Sequence, residues 1–138
     1  MRPRSLARRL ALQYLHMVDL RGVDNVEPSA GFFAAHADAA DVHAFATELV
    51  EAVLTQHTEI DAEISAAADN WSLARLGSIE RNALRIGCAE LRLAATPDKV
   101  ILDEAVRLAK LFGGKDSGGF VNGVLDRIYA QRKAATDD

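Results

Sequence analysis

The sequence predicts an all-α fold, a compact helical bundle of about six to seven helices. Three observations carry this. Alanine and leucine are abundant while proline occurs only three times, at positions 3, 28 and 97, a balance that favours helix. Aromatic residues make up 6% of the 138 residues and β-branched runs are short, which disfavours a sheet. Apolar residues recur at spacings of three and four along most of the chain. The length suits one domain built on one hydrophobic core, 1–138, with 1–4 and 133–138 expected to be flexible ends.

The elements follow in order. Leu6, Leu10, Tyr14 and Met17 mark an amphipathic helix from about Ser5 to Leu20, with Arg8 and Arg9 on its flank. Gly22 to Gly31 reads as a loop, and Phe32-Phe33 as a short helix or turn anchored on the core. Val42, Phe45, Leu49, Val53, Ile60 and Ile64 form one apolar face. That stretch is one long helix or two with a bend near Thr58, with Asp41 placed to cap its start. Asn70-Trp71-Ser72 is expected to end it, with Ser72 capping a turn that holds Leu73 and Leu76. Ser78 is placed to cap a helix over 79–95, whose apolar residues exceed one stripe and so belong at the centre of the bundle. Thr96-Pro97-Asp98 stops it. Val100 to Phe112 gives the next helix, ended by Gly113-Gly114. Ser117 is expected to start the last one, with Phe120, Val121, Val124, Leu125 and Ile128 facing inward and a frayed tail after Arg132.

Charge is segregated along the chain. The net charge is −4, yet residues 1–21 hold five arginines and one acid, and residues 22–71 hold ten acids and no Lys or Arg. A local basic arm lets an acidic protein hold a polyanion. Two segments fit that role. Arg2, Arg4, Arg8 and Arg9 crowd eight residues, and arginine both forks onto phosphates and stacks on bases. Lys115 to Asn122 places glycines near a helix start, where free backbone N–H groups favour a phosphate. Phe120 there is either a stacking platform for a base or a core side chain at helical spacing.

Other chemistry is disfavoured. His16, His36, His43 and His57 form no zinc-ligand spacing, so no metal and no cofactor is expected. Cys88 sits among Ile86, Ala89 and Leu91 and reads as core. The 113–119 run Gly-Gly-Lys-Asp-Ser-Gly-Gly lacks the phosphate-loop order and follows a helix. No nucleophile is paired with an oriented base, so no enzyme is expected. No uncharged stretch is long enough for a bilayer and no signal-peptide pattern opens the chain, so the expected location is cytoplasmic, without a membrane partner.

A family becomes visible in the second half. Residues 79–86 read Ile-Glu-Arg-Asn-Ala-Leu-Arg-Ile, followed by Ala89-Glu90-Leu91. Residues 97–110 then run from Pro-Asp-Lys-Val to Glu104-Ala105-Val106-Arg107-Leu108-Ala109-Lys110. Phe112-Gly113, Asp116-Ser117 and the 120–126 run Phe-Val-Asn-Gly-Val-Leu-Asp close the series. With Ala7-Arg8 and Ala11-Leu12-Gln13 at the start, this succession resembles the bacterial NusB antitermination family over nearly the whole chain, least from 22 to 70. The resemblance implies two packed helical subdomains. It implies binding of single-stranded boxA-like RNA in nascent ribosomal RNA leaders, together with the ribosomal protein NusE, within an RNA polymerase antitermination complex. Carried over by position, it gives RNA contacts to Arg2, Arg4, Arg8, Lys115, Asp116, Ser117 and Phe120, and the NusE side to His16 and Glu80. His16 stands where the family often has Tyr, Ala89 replaces an aromatic, and Asp103 replaces a usual Asn. Gly118-Gly119 is expected to leave the RNA-side loop flexible. The alternative is a stand-alone NusB-like module of an rRNA-modifying assembly.

Overall fold

The structure is a computed structural model that describes residues 1–68 and 73–137. Among the described residues the α-helices are α1 (Pro3–Arg21), α2 (Ser29–His36), α3 (Ala40–Thr55), α4 (His57–Ala67), α5 (Ser78–Leu93), α6 (Asp98–Gly113) and α7 (Lys115–Asp137). Short 3-10 turns cover Val23–Asn25 and Leu73–Arg75, and no strand occurs among the described residues. Two groups pack together. One is α1, α2 and α3; the other is α5, α6 and α7, with α4 bridging to both. Helix α5 is the common centre and touches α1, α3, α4, α6 and α7. Its residues 82–90 are all buried except Arg85, as its broad apolar surface requires.

Several boundaries differ from the pattern, each for a local reason. Helix α1 starts at Pro3, because proline fits the first helical turn, where its missing N–H costs nothing. The apolar face from Val42 to Ile64 breaks into two helices at Gln56, which takes φ −114° and ψ 21°. Asn70, Trp71 and Ser72, expected to end that stretch and cap the next turn, lie outside the described residues. Asp41 lies in the first turn of α3 and accepts from the N–H of Val42, while the N-cap position belongs to Ala39, with no side-chain bond. Ser78 is inside α5, and its hydroxyl is occupied by Asp19, His16 and Asn82. The last helix starts at Lys115, two residues earlier than expected, because Gly114 makes the whole turn from α6 at φ +92°, a region open to glycine at little cost. It also runs on to Asp137, since Arg132 holds the Glu63 carboxylate in a fork at 2.7 and 2.8 Å and anchors the last turns to α4.

The long first loop is tied down by aromatics. Tyr14 donates to the Glu27 carbonyl at 2.6 Å, and its ring packs against Phe32 and Phe33 at 5.6 and 5.9 Å between centroids. Burial, together with the nearby Glu27 charge, raises the Tyr14 hydroxyl pKa above its ordinary value. The Phe32-Phe33 anchor is therefore a helix, and both rings are buried.

Candidate nucleic-acid interface

The basic arm divides into solvent-facing and buried arginines. Arg2 and Arg4 are exposed. The Arg4 guanidinium lies 4.2 Å above the Phe45 ring and donates to the Thr96 hydroxyl at 3.1 Å. Arg9 sits over the Phe112 ring at 5.9 Å, across the seam between α1 and α6. Arg8 corrects the expectation drawn from the basic run. It is 2% exposed and forks onto Glu90, itself 2% exposed, at 2.7 and 2.8 Å, with Glu104 at 3.7 Å. A guanidinium buried between two carboxylates inside the bundle is out of reach of a phosphate in solvent. It joins α1 to α5 and α6.

The second segment is likewise split. Lys115 and Asp116 are exposed at the start of α7. Ser117 is 7% exposed, and its hydroxyl lies 2.5 Å from the Glu80 carboxylate and 3.1 Å from the Gly113 carbonyl. The hydroxyl ties the start of α7 to α5. The flexible loop is corrected too. Gly118 and Gly119 are helical, and the Gly118 N–H bonds to the Gly114 carbonyl at 3.2 Å. Gly118 is buried because the aliphatic stem of Lys110 lies directly on it, leaving no room for a Cβ. Phe120 answers to neither simple reading. It is partly buried, packs on the core with one side, and lines a cleft of about 200 Å³ together with Arg75, Glu80, Asp116 and Ser117.

The two segments sit at opposite ends of α5. Arg8 meets that helix at Glu90 and Ser117 meets it at Glu80. Ten residues of helix separate these contacts by about 15 Å. His16 and Glu80 flank the first turn of α5 from two sides. His16 Nδ1 is 2.8 Å from the Ser78 hydroxyl, and the ring lines a groove with Met17, Ile79 and Phe112, whereas Glu80 points into the Ser117 cleft.

A polar hub at this end was not anticipated. The Asp19 carboxylate receives the Ser78 hydroxyl at 3.1 Å, the Asn82 amide at 2.8 Å, Arg81 at 3.0 Å and Arg85 at 3.2 Å. Burial pushes the Asp19 pKa up, but these hydrogen bonds and the charges of Arg81 and Arg85 outweigh it and hold the carboxyl below its ordinary value. Arg85 continues the network to Asp61 of α4 at 2.8 Å, and Arg81 to the carbonyls of Leu73 and Leu76. Asp19 is the only acid in residues 1–21, and that isolation was the available signal.

Reactive side chains are scarce in this frame. Burial pushes the Cys88 thiol up to about 12, so it stays protonated at neutral pH and is a poor nucleophile. Among the described residues no group of three His, Cys, Asp or Glu is placed to hold a metal ion, and no helix is long and apolar enough to cross a membrane.

An all-α bundle with a basic rim at one end of its central helix and a small mixed cleft at the other defines a helical binding module. The sequence model of the NusB family matches residues 5–130, and the chain belongs to that family. The transcription antitermination protein NusB of Sorangium cellulosum is 42% identical over 126 residues, covering 91% of this chain and 90% of that protein. NusB of Syntrophus aciditrophicus is 32% identical over 139 residues, covering 100% of this chain and 86% of that protein. Among solved structures, the antitermination factors NusB and NusE in complex with dsRNA contain a chain that superposes with a TM-score of 0.82 at 35% identity, covering 95% of this chain and 98% of that one. NusB of T. maritima superposes at 0.80 with 32% identity, covering 93% and 91%.

Proposed function

We propose that this chain is a transcription antitermination factor. It binds boxA-type RNA in nascent ribosomal RNA leaders together with ribosomal protein NusE, and joins the RNA polymerase antitermination complex through that pair. The observation that carries this reading is the match, over 95% of the chain, to a protein solved together with NusE and RNA. It acts by binding and not by catalysis, in the cytoplasm. Arg2, Arg4 and Lys115 supply phosphate contacts, Phe120 offers a ring face to a base, and Asp116 accepts from a base edge. Glu80 and His16 face NusE. The RNA it prefers is single-stranded, because ring stacking at Phe120 needs an unpaired base.

The test is a titration of single-stranded boxA-type RNA with and without NusE, with a duplex of the same sequence as competitor. NusE is expected to tighten binding, and the duplex to compete poorly. Glu80→Lys is expected to weaken NusE binding while the free chain keeps its RNA affinity. Undiminished NusE affinity in that variant removes Glu80 from the interface, and equal competition by the duplex removes the single-strand preference.

A further inference from the structure

The proposed RNA contacts lie at the two ends of α5, and nothing in that reading says how RNA crosses between them. The charge pattern supplies a path. Arg8, Arg81, Arg85, Arg92 and Arg132 are all committed to carboxylates. Arg9 and Lys110 are different: among the described residues no carboxylate lies within ion-pair distance of either. The Arg107 side chain is 72% exposed and lies 3.8 Å from Glu104, a carboxylate that Ser5 and Arg8 already hold. Such a surface pair contributes little and gives way easily.

Arg107 and Lys110 lie on the outer face of α6, and Arg9 stands at the edge of that helix next to α1. Arg9 bridges the α1–α6 seam above Phe112. Arg107 and Lys110 are three residues apart and exposed on α6, so they are neighbours on its outer face, opposite the buried Ile101, Ala105 and Ala109. Lys110 then lies along Gly118, beside the start of α7 and its cleft. Helix α6 carries Asp98, Asp103 and Glu104 against Lys99, Arg107 and Lys110, with no acid after Glu104, while residues 22–68 hold nine acids and no Lys or Arg. A polyanion is repelled from α2–α4 and drawn to the α1–α6 face.

We infer that Arg9, Arg107 and Lys110 form a phosphate track that carries the RNA backbone from the N-terminal end of α1 to Lys115 and Phe120 at the start of α7. This rests on the RNA-binding reading given above. The track reads no bases, because phosphate contacts position a nucleic acid without specifying its sequence. It costs no native ion pair beyond the weak one at Arg107.

The experiment measures affinity of the full chain for a labelled single-stranded boxA-type RNA across a salt series. The variants are the triple Arg9→Gln/Arg107→Gln/Lys110→Gln and the double Arg107→Gln/Lys110→Gln. The double keeps the Arg9–Phe112 contact, and glutamine retains the first stem carbons of Lys110 over Gly118, so it reads the track where the triple is harmed by loss of the Arg9 contact. Each lost contact removes about 0.7 from the slope of log affinity against log salt. The expected decrease is about 1.4 for the double and about 2 for the triple, with discrimination against a scrambled RNA unchanged. A wild-type slope in both variants, with affinity intact, overturns the track and leaves RNA binding standing. Loss of NusE affinity alone overturns it in favour of a protein-facing surface. Failure of the unaltered chain to bind the RNA, with or without NusE, overturns the functional reading itself.

Discussion

Replacing Arg8 separates a structural arginine from an RNA-binding one. Arg8 and Glu90 are each 2% exposed and joined by two bonds of 2.7 and 2.8 Å. Arg8→Met leaves Glu90 buried without its counter-charge, in a site where Glu104 had shared the same guanidinium at 3.7 Å. Removing one partner of a buried pair costs about 3–5 kcal/mol. For a domain of this size each kcal/mol lowers the melting temperature by roughly 3–5 °C, so a drop of about 10–20 °C is expected. Adding Glu90→Met removes the stranded charge, and an apolar replacement of the whole pair is neutral or stabilising by about 1–4 kcal/mol. The double variant should therefore melt near the unaltered protein. The deciding assay is its RNA salt dependence. A buried Arg8 contributes no phosphate contact, so the slope should not change. A folded double variant whose slope falls by about 0.7 would show that Arg8 reaches a phosphate, and would refute the assignment made from its burial.

Two further outcomes follow from the site. Phe120→Ala should cost about 1–2 kcal/mol of stability, because the ring is only partly buried, and lower RNA affinity by about 1–3 kcal/mol; paired melts and titrations check both, and a large melting drop with unchanged RNA affinity would make Phe120 a core residue only. Asp19 has its folded pKa below the ordinary 3.8, so its contribution is present above that value and is lost as pH falls through the lowered one; denaturant melts between neutral pH and strong acid should show a steeper acid loss in the unaltered chain than in Asp19→Asn, and identical pH profiles would remove the hub from the stability of the fold.

The helices were legible because apolar spacing records which face is buried, and α5 announced its central place by being apolar on more than one stripe. What stayed hidden depends on partners distant in sequence. The burial of Arg8 was indicated by its position: it shares a helical face with Leu12 and Leu15, both buried, and Glu90 is the only acid between Arg81 and Pro97. A run of four arginines in eight residues masked that signal, because local composition does not say which member points inward. Ser78 and Ser117 had the residue type and position of helix caps, but their hydroxyls are taken by Asp19, His16 and Glu80, from other elements. Gly118, next to Gly119 and after Gly113-Gly114, reads locally as a loop glycine. Its reason is the close approach of the Lys110 stem from α6, and close packing between helices leaves no mark in a local pattern.

Helices α1 and α5 run antiparallel and are fastened at both ends, by Arg8 to Glu90 at one and by Asp19 to Ser78 and Asn82 at the other. Between these fastenings the same face of α1 carries Leu12 and Leu15, both buried. Apolar side chains at helical spacing repeat from turn to turn, and apolar contact alone does not fix one alignment of the two rods. Sliding one helix by a turn, about 5.4 Å, would set the buried guanidinium against Ile86 in place of Glu90 and would strip Asp19 of its donors in the same movement. The two charged fastenings therefore act as a vernier on a repeating scale: only one alignment satisfies both at once.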